Sequence, residues 1–493
     1  MSYFNPVTVY LDKRVLRLLF LGFSSGLPIL LIFSTLSLWL KSAGIDRSTI
    51  TFFSWAGLAY GFKFIWAPLI DRIPVPFLSK NFGHRKSWLL ITQLIIMSLL
   101  VLISFTDPVK NILFLTLLII LLGFGSANQD IIIDAYRIES APDNLQTALS
   151  AMYVIGYRIG MIVAGAGSLY FVFVLGGDEN DYNSKPWQTA YLFMAVFQSV
   201  GLFTTLLSPE PKVEKNIIYN NNEKIRLLLI FFVGLGGFIL TFVNFPSFHS
   251  ENILSKGLYS FIKISLAIMC SLILFWITAK LKIISPNIVN DTFFLPFKQF
   301  TKKYGQFTII LILLIVCYRV ADIVMGVVAN LFYSDMGYNL KEIATYSKFW
   351  GLIATISGGV IGGIISFKIG VNFTLLIGAI LAASSNFLFA LISSMEPNSI
   401  ILVSVITADN LSAGLASTAF VAFLGSLTNT KFTATQFAFF TSIMLVVPKL
   451  MSGYSGTLVD IFGYHNFFVI TAIIGIPAII LNIILIRISN FNE

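Results

Sequence analysis

Unbroken apolar runs of about 20 residues or more recur along this chain from about residue 15 to about residue 488. A bilayer core about 30 Å thick takes roughly 20 apolar residues in helical form. Inside lipid the backbone must satisfy its own hydrogen bonds, which leaves only helices and closed barrels. Barrel strands alternate over about ten residues, whereas these runs are continuous and long, so a barrel is excluded. Composition points the same way. Of the 493 residues, 57% are hydrophobic and 11% charged, and the mean hydropathy is +0.86. A soluble domain carries roughly 25% charged residues, so there is too little charge here to cover a water-facing surface. The fold class is all-α, as a polytopic membrane protein.

Reading the runs against loop signals places helices at 15–40, 48–70, 87–105, 111–138, 146–175 and 187–208. Two more follow at 224–245 and 258–281, then six at 305–333, 342–366, 372–394, 399–428, 432–459 and 465–487. The order six, two, six gives about fourteen spans. It divides the chain into a six-helix bundle at 1–208, a linker with two additional helices at 209–304, and a second six-helix bundle at 305–493. Lys13, Arg14 and Arg17 lead the first run. That run is too long for a cleaved signal and shows no small-x-small site, so it reads as an uncleaved first helix.

The formal charge of +9 suggests a nucleic-acid partner only until its distribution is seen. The basic residues sit in short inter-helix loops, where the positive-inside rule accounts for them. With the N-terminus inside, segments 71–86, 209–226 and 280–304 collect most of them. The outside loop at 176–183, GGDENDYN, is acidic. Both termini are therefore expected on the cytoplasmic side. A weak echo also links the halves. Gln146, Arg158 and Gly165 are matched at similar spacing by Gln436, Lys449 and Gly456. Parallel repeats around a central cavity follow from this arrangement.

Ionisable residues inside membrane helices carry the chemistry. A charge at the bilayer centre costs at least about 2.5–3.5 kcal/mol, so it faces a cavity or a partner. The candidates are Asp130, Asp134, Arg158, Arg319, Asp322, Asp409 and Lys449. Lys63 and Lys348 lie nearer helix ends and read as snorkelling. Asp130 and Asp134 are four apart and share one helix face. Carboxylates placed that way can take a proton on one side and release it on the other. A purely structural alternative pairs Arg158 with Asp130 across a helical hairpin. Arg319 and Asp322, three apart, can form a pair on one helix. Asp409 has no cation near it in sequence, and Lys449 follows Pro448, which can open backbone toward a cavity. The small-residue stretches GAGS at 165–168 and SGGVIGG at 357–363 permit close helix contact.

Cys270 and Cys317 both fall in apolar runs, so neither a disulfide nor a metal site is expected. The three histidines are scattered among loops. No cofactor is implied. No phosphate-binding loop of the G-x-x-x-x-G-K-[ST] type occurs, so energy must come from an ion gradient or from the solute itself. One charge moved through roughly 150 mV gives about 3.5 kcal/mol, enough for a few-hundred-fold accumulation.

Several segments resemble the AmpG muropeptide permeases of the major facilitator superfamily. They are LGFSSGLPILL at 21–31, FSWAGLAYGFKFIWAPLIDR at 53–72, QDIIIDAYRIE at 129–139 and GYRIGMIVAGAG at 156–167. In the second half YRVADIVMGVVANLFYSDMGY at 318–338 and GYSGTLVDIFGYHNFF at 453–468 continue the likeness. The resemblance spans nearly the whole chain and implies the major facilitator fold. Carried over by position, it marks Gln129, Asp130, Asp134, Arg137, Arg158, Arg319 and Asp322. The superfamily's gating loop between the second and third helices corresponds to Asp71, Arg72, Gly83, Arg85 and Lys86. It is interrupted here by the insertion PVPFLSKNF at 74–82.

The same resemblance implies proton-driven import of N-acetylglucosaminyl-1,6-anhydro-N-acetylmuramic acid and its peptides across a bacterial inner membrane. Such import serves cell-wall recycling and, in some bacteria, β-lactamase induction. A monomer is expected, with muropeptide, protons and lipid as its partners and no nucleic acid. Other cargo remains open, since transporters of acetyl-CoA, siderophores or sugars share this branch. The cationic set Arg158, Arg319 and Lys449 suits an anionic cargo. An embedded transferase or hydrolase is disfavoured, because the longest loops offer mainly Lys, Arg and Phe. A transporter-like sensor is the remaining class.

Overall fold

The computed structural model describes residues 8–45, 53, 58–177, 182–213, 220–246, 253–281, 286–338, 340–452 and 455–491. Among them every regular element is helical. In the first half the helices are α1 (Lys13–Ile32), α2 (Ser34–Ser42), α3 (Leu58–Phe62), α4 (Ala67–Arg72) and α5 (His84–Ser104). There follow α6 (Ile112–Glu139), α7 (Asp143–Ile162), α8 (Ser168–Val174) and α9 (Ser184–Leu207). The middle supplies α10 (Asn221–Val243), α11 (Ile253–Lys280) and the short basic α12 (Leu295–Tyr304). The second half holds α13 (Thr308–Cys317), α14 (Val320–Asp335), α15 (Gly351–Ile369), α16 (Val371–Ile392), α17 (Ser399–Leu427), α18 (Thr433–Ser452) and α19 (Ser455–Phe491).

Twelve spans among the described residues are long and apolar enough to cross a membrane. The helix expected at 48–70 lies partly outside the described residues. Its visible portion is broken, with a tight turn at Lys63–Ile65 separating α3 from α4. Pro68, in the first turn of α4, suits a restart because it has no N–H to leave unpaired. The run expected at 258–281 is helical from Ile253, with its shorter apolar stretch at Ser265–Thr278. The run expected at 305–333 is interrupted at Tyr318 and Arg319, between α13 and α14. The loop expected near 460–464 reduces to Gly463, whose φ of 73° kinks α19.

Local sequence explains most helix starts. Asn111, Asn183 and Asn398 each accept a bond from a backbone N–H in the first turn, the usual task of an N-cap. Close helix pairs rest on small residues. Gly22 and Gly26 of α1 lie against the backbone of Tyr153 and Tyr157, while Gly156 and Gly160 of α7 meet that of Leu19 and Phe23. In the second half Gly358 and Gly362 of α15 meet Leu411 and Leu415, and Gly414 of α17 meets Thr355. Without a hydrophobic drive between helices in lipid, such approach lets backbones gain dispersion contact.

Helices α7 of the first half and α15 and α17 of the second lie against one another, and α18 packs against α3, α4 and α6. The linker helices α10 and α11 pair with each other. Leu227, Ile230 and Phe231 then share an apolar cluster with Leu69 and Ile73 beside α4.

Candidate functional site

Two groups of polar side chains stand where the halves meet. The first is at the end that carries the basic loops. Arg85 is fully buried and donates from Nη2 to Asp71 at 2.6 Å and to Glu139 at 2.7 Å. The other face of Asp71 crosses to the second half. There it accepts from Thr435 N at 2.8 Å, Thr435 Oγ1 at 2.6 Å and Ala434 N at 3.3 Å. These groups form the first turn of α18, where unpaired N–H groups and the helix dipole favour a carboxylate. Tyr10 adds a bond from its hydroxyl to Val360 O at 3.2 Å. Among the described residues, every hydrogen bond between residues 8–208 and residues from 305 onward lies at this end. The two halves are bonded to each other there.

The insertion at 74–82 does not disturb this latch. It folds out as a short helix, Leu78–Phe82, preceded by Phe77 at φ 63° and exposed. Asp71 and Arg85 remain in direct contact. Gly83, at φ 89°, lets the chain turn into α5. The carboxylate of Glu210 then accepts from Arg85 N at 2.8 Å and Lys86 N at 2.9 Å, capping α5 from the segment after α9. Lys86 itself points outward, to Leu206 O. Arg72 is buried and feels the charge of both Asp71 and Asp291.

Deeper in the first half lies a balanced set of charges. Asp130 accepts a bond from Ser25 Oγ, with the Tyr153 hydroxyl 3.5 Å from that same oxygen. Asp134, one turn away, is 3.9 Å from Arg137 Nη2. Arg137 is fully buried, donates to Ser150 Oγ at 2.7 Å, and stacks over Phe437 of α18 at 5.1 Å. The other cation is Lys63, which interacts with both aspartates and is only 5% exposed. Lys63 therefore does not snorkel. The turn at 63–65 holds it inward, and Arg158 does not serve as the partner of Asp130. Gln129 also departs from its neighbours. It points into the first-half interior, donating to Ser24 Oγ at 3.0 Å and accepting from Gln198 at 2.8 Å.

The second group is half-buried and spans the halves near mid-helix. Arg158 of α7 donates to Met161 Sδ at 3.9 Å and has no carboxylate within ion-pair distance among the described residues. It is close enough to Arg319 for the two guanidinium groups to repel. Arg319 donates to Ser417 Oγ at 2.7 Å and pairs with Asp322 at 3.4 Å. Asp409 of α17 accepts from Ser385 Oγ at 3.0 Å and interacts with Asp322 and Arg319. The structure thus joins Arg158, Arg319, Asp322 and Asp409, which lie far apart in sequence. Lys449 stands apart from them: it is exposed and forms no ion pair among the described residues. Two electrostatically coupled guanidinium groups from opposite halves, one of them without a carboxylate partner among the described residues, have the chemistry to accept an anionic group.

Comparison with known proteins places this arrangement. Residues 18–448 match the family model of the Major Facilitator Superfamily. A putative transporter AmpG 4 of Rickettsia felis is 33% identical over 471 residues, covering 96% of each chain. The anhydromuropeptide permease of Escherichia coli K12 is 28% identical over 474 residues, covering 96% of this chain and 80% of its own. The chain belongs to the AmpG family of the major facilitator superfamily. Among solved structures, the proton:xylose symporter XylE bound to 6-bromo-6-deoxy-D-glucose superposes with a TM-score of 0.61 at 14% identity, covering 97% of this chain and 95% of its own. The transporter FucP in its outward conformation gives 0.61 at 13% identity, covering 96% and 98%. At such identities these two show the fold alone. This AmpG-family protein is thus a multi-pass membrane transporter.

Several residues in these groups escape sequence reasoning. Glu139, Glu210, Thr435 and Phe437 gave no signal, because each acts through a partner on a distant helix. Lys63 gave one, a lysine in an apolar run, which its nearness to a helix end concealed.

Proposed function

We propose that this protein is a proton-coupled importer of anhydro-muropeptides, held in a bacterial inner membrane with both termini in the cytoplasm and acting as a monomer. In this reading residues 1–208 and 305–493 are two six-helix bundles that rock about the cargo, and 209–304 links them with two further helices. The basic end, held by Asp71, is then the cytoplasmic gate. The observation that carries the cargo class is Arg158. A half-buried guanidinium with no carboxylate beside it, set against Arg319 of the other half, suits a substrate that brings its own negative charge. Muropeptides carry peptide carboxylates. The name of the Escherichia coli relative supports that choice over other anions, and the XylE symporter offers a precedent for proton drive on this fold.

The test is uptake into inner-membrane vesicles from a strain unable to recycle its cell wall. Labelled anhydro-muropeptide and acetyl-CoA are offered as rivals, with and without an uncoupler. Accumulation of muropeptide alone, abolished by the uncoupler, is expected. Preference for acetyl-CoA would replace the cargo, and uptake indifferent to the uncoupler would remove the proton coupling.

A further inference from the structure

The charges of the two halves do not balance in the same way. In the first half Lys63 and Arg137 stand against Asp130 and Asp134, two against two, and all four side chains are buried. In the second half two carboxylates, Asp322 and Asp409, share one cation, Arg319. The second positive charge of the group is Arg158, supplied by the opposite half and coupled to Arg319. These four groups are half-buried rather than sealed. We propose that Asp322 and Asp409, not Asp130 and Asp134, carry the coupled proton, and that a cargo anion seated on Arg158 and Arg319 drives its binding. This rests on the anionic-cargo reading above and deepens it.

The argument is one of neutrality at a poorly solvated place. Without cargo, the set Arg158, Arg319, Asp322 and Asp409 sums to zero. A carboxylate of the cargo that pairs with the guanidinium groups takes up one positive charge. The two aspartates are then one charge short, and like charges held together in a low dielectric cannot both stay ionised at modest cost. A proton from the same aqueous side as the cargo forms an O–H bond on one of them and restores the balance. When the anion leaves on the other side, Arg158 is freed, the positive charge returns and the proton departs after it. Linkage makes the effect reciprocal: the protonated pair also favours the anion. The pair shares its proton, so the site belongs to both residues.

The surroundings of Asp409 add no competing charge among the described side chains. Helix α16 offers the hydroxyl of Ser385, α14 offers Asp322 and Tyr333, and Arg319 stands just before α14. Lys368 of α15 is exposed near the far end of its helix. A void of about 10 Å³ beside Asp322, walled by Tyr318 and alanines, is of the size that one water needs.

The experiment separates exchange from accumulation in proteoliposomes. Exchange of labelled for unlabelled anhydro-muropeptide needs no net proton movement, whereas accumulation under an imposed pH gradient does. D409N and D322N are expected to lower the ratio of gradient-driven accumulation to exchange at least tenfold. D130N is expected to keep its ratio of accumulation to exchange. Driven accumulation at wild-type level in both D409N and D322N overturns the proposal, as does an exchange-only phenotype in D130N instead. Loss of exchange in both second-half variants also overturns it, by making the pair part of the cargo site or of the fold. If wild type exchanges no muropeptide at all, the cargo reading fails first and this inference with it.

Discussion

Replacing Asp71 by Asn should spring the latch at the basic end. Asp71 makes four bonds, of which the one to Arg85 stays within the first half. Only the bonds to Thr435 N, Thr435 Oγ1 and Ala434 N cross between halves and favour the closed form. Asn keeps one acceptor oxygen, presents an amide donor to a helix terminus already rich in donors, and removes the charge that the helix dipole favours. A partly buried dipole contact contributes about 1–2 kcal/mol, and a hydrogen bond to a charged group about 1.5–3 kcal/mol. Allowing for the acceptor that remains, the closed form should lose about 2–4 kcal/mol, or about 30- to 1,000-fold in the gate equilibrium. The assay is a distance distribution between spin labels at K80C and K431C, both exposed at this end, with Cys270 and Cys317 replaced by Ala. Wild type should give one short population and D71N a dominant longer one, with T435A between them. An unchanged distribution in D71N would falsify the latch.

Three further outcomes test the packing that positions the site. G156L should lower the unfolding temperature and yield, because a side chain there meets the Leu19 carbonyl oxygen of α1; overpacking of this kind costs typically about 1–3 kcal/mol, and wild-type thermal stability would refute the close approach. E210A removes the cap from α5 and should cost about 0.5–2 kcal/mol, seen as faster amide exchange at Arg85 and Lys86 with no change at α17. Q198L leaves Gln129 and Ser24 short of a partner inside the first half, costing about 1–3 kcal/mol; denaturant melts should shift while the ratio of cargo accumulation to exchange stays constant.

How much was legible follows from what each signal depends on. Apolar run length is local, so α6, α9, α16 and α17 lie within a few residues of where the sequence puts them. Breaks that depend on backbone conformation were less visible: Lys63–Ile65, Tyr318 to Arg319 and Gly463 interrupt runs that read as continuous or end elsewhere. Among the charges, the pair Arg319–Asp322 is legible because three residues make less than one helical turn. Arg158 and Arg319 are 161 positions apart in number, and only the meeting of the halves brings them together. The same distance in sequence concealed the partners of Asp71 at the start of α18. Gln129 misled because its neighbour Asp130 faces another way: one residue along a helix turns the side chain by about 100°.

The most direct test of the account is cargo-driven proton flux. Purified protein is placed in liposomes holding a trapped pH-sensitive dye, and N-acetylglucosaminyl-anhydro-N-acetylmuramyl peptide is added outside. The account predicts acidification of the lumen that tracks the amount of peptide entering, that is lost in R158Q, and that a neutral sugar does not elicit. Entry of labelled muropeptide with no change in internal pH would contradict the coupling, and acidification undiminished in R158Q would contradict the site.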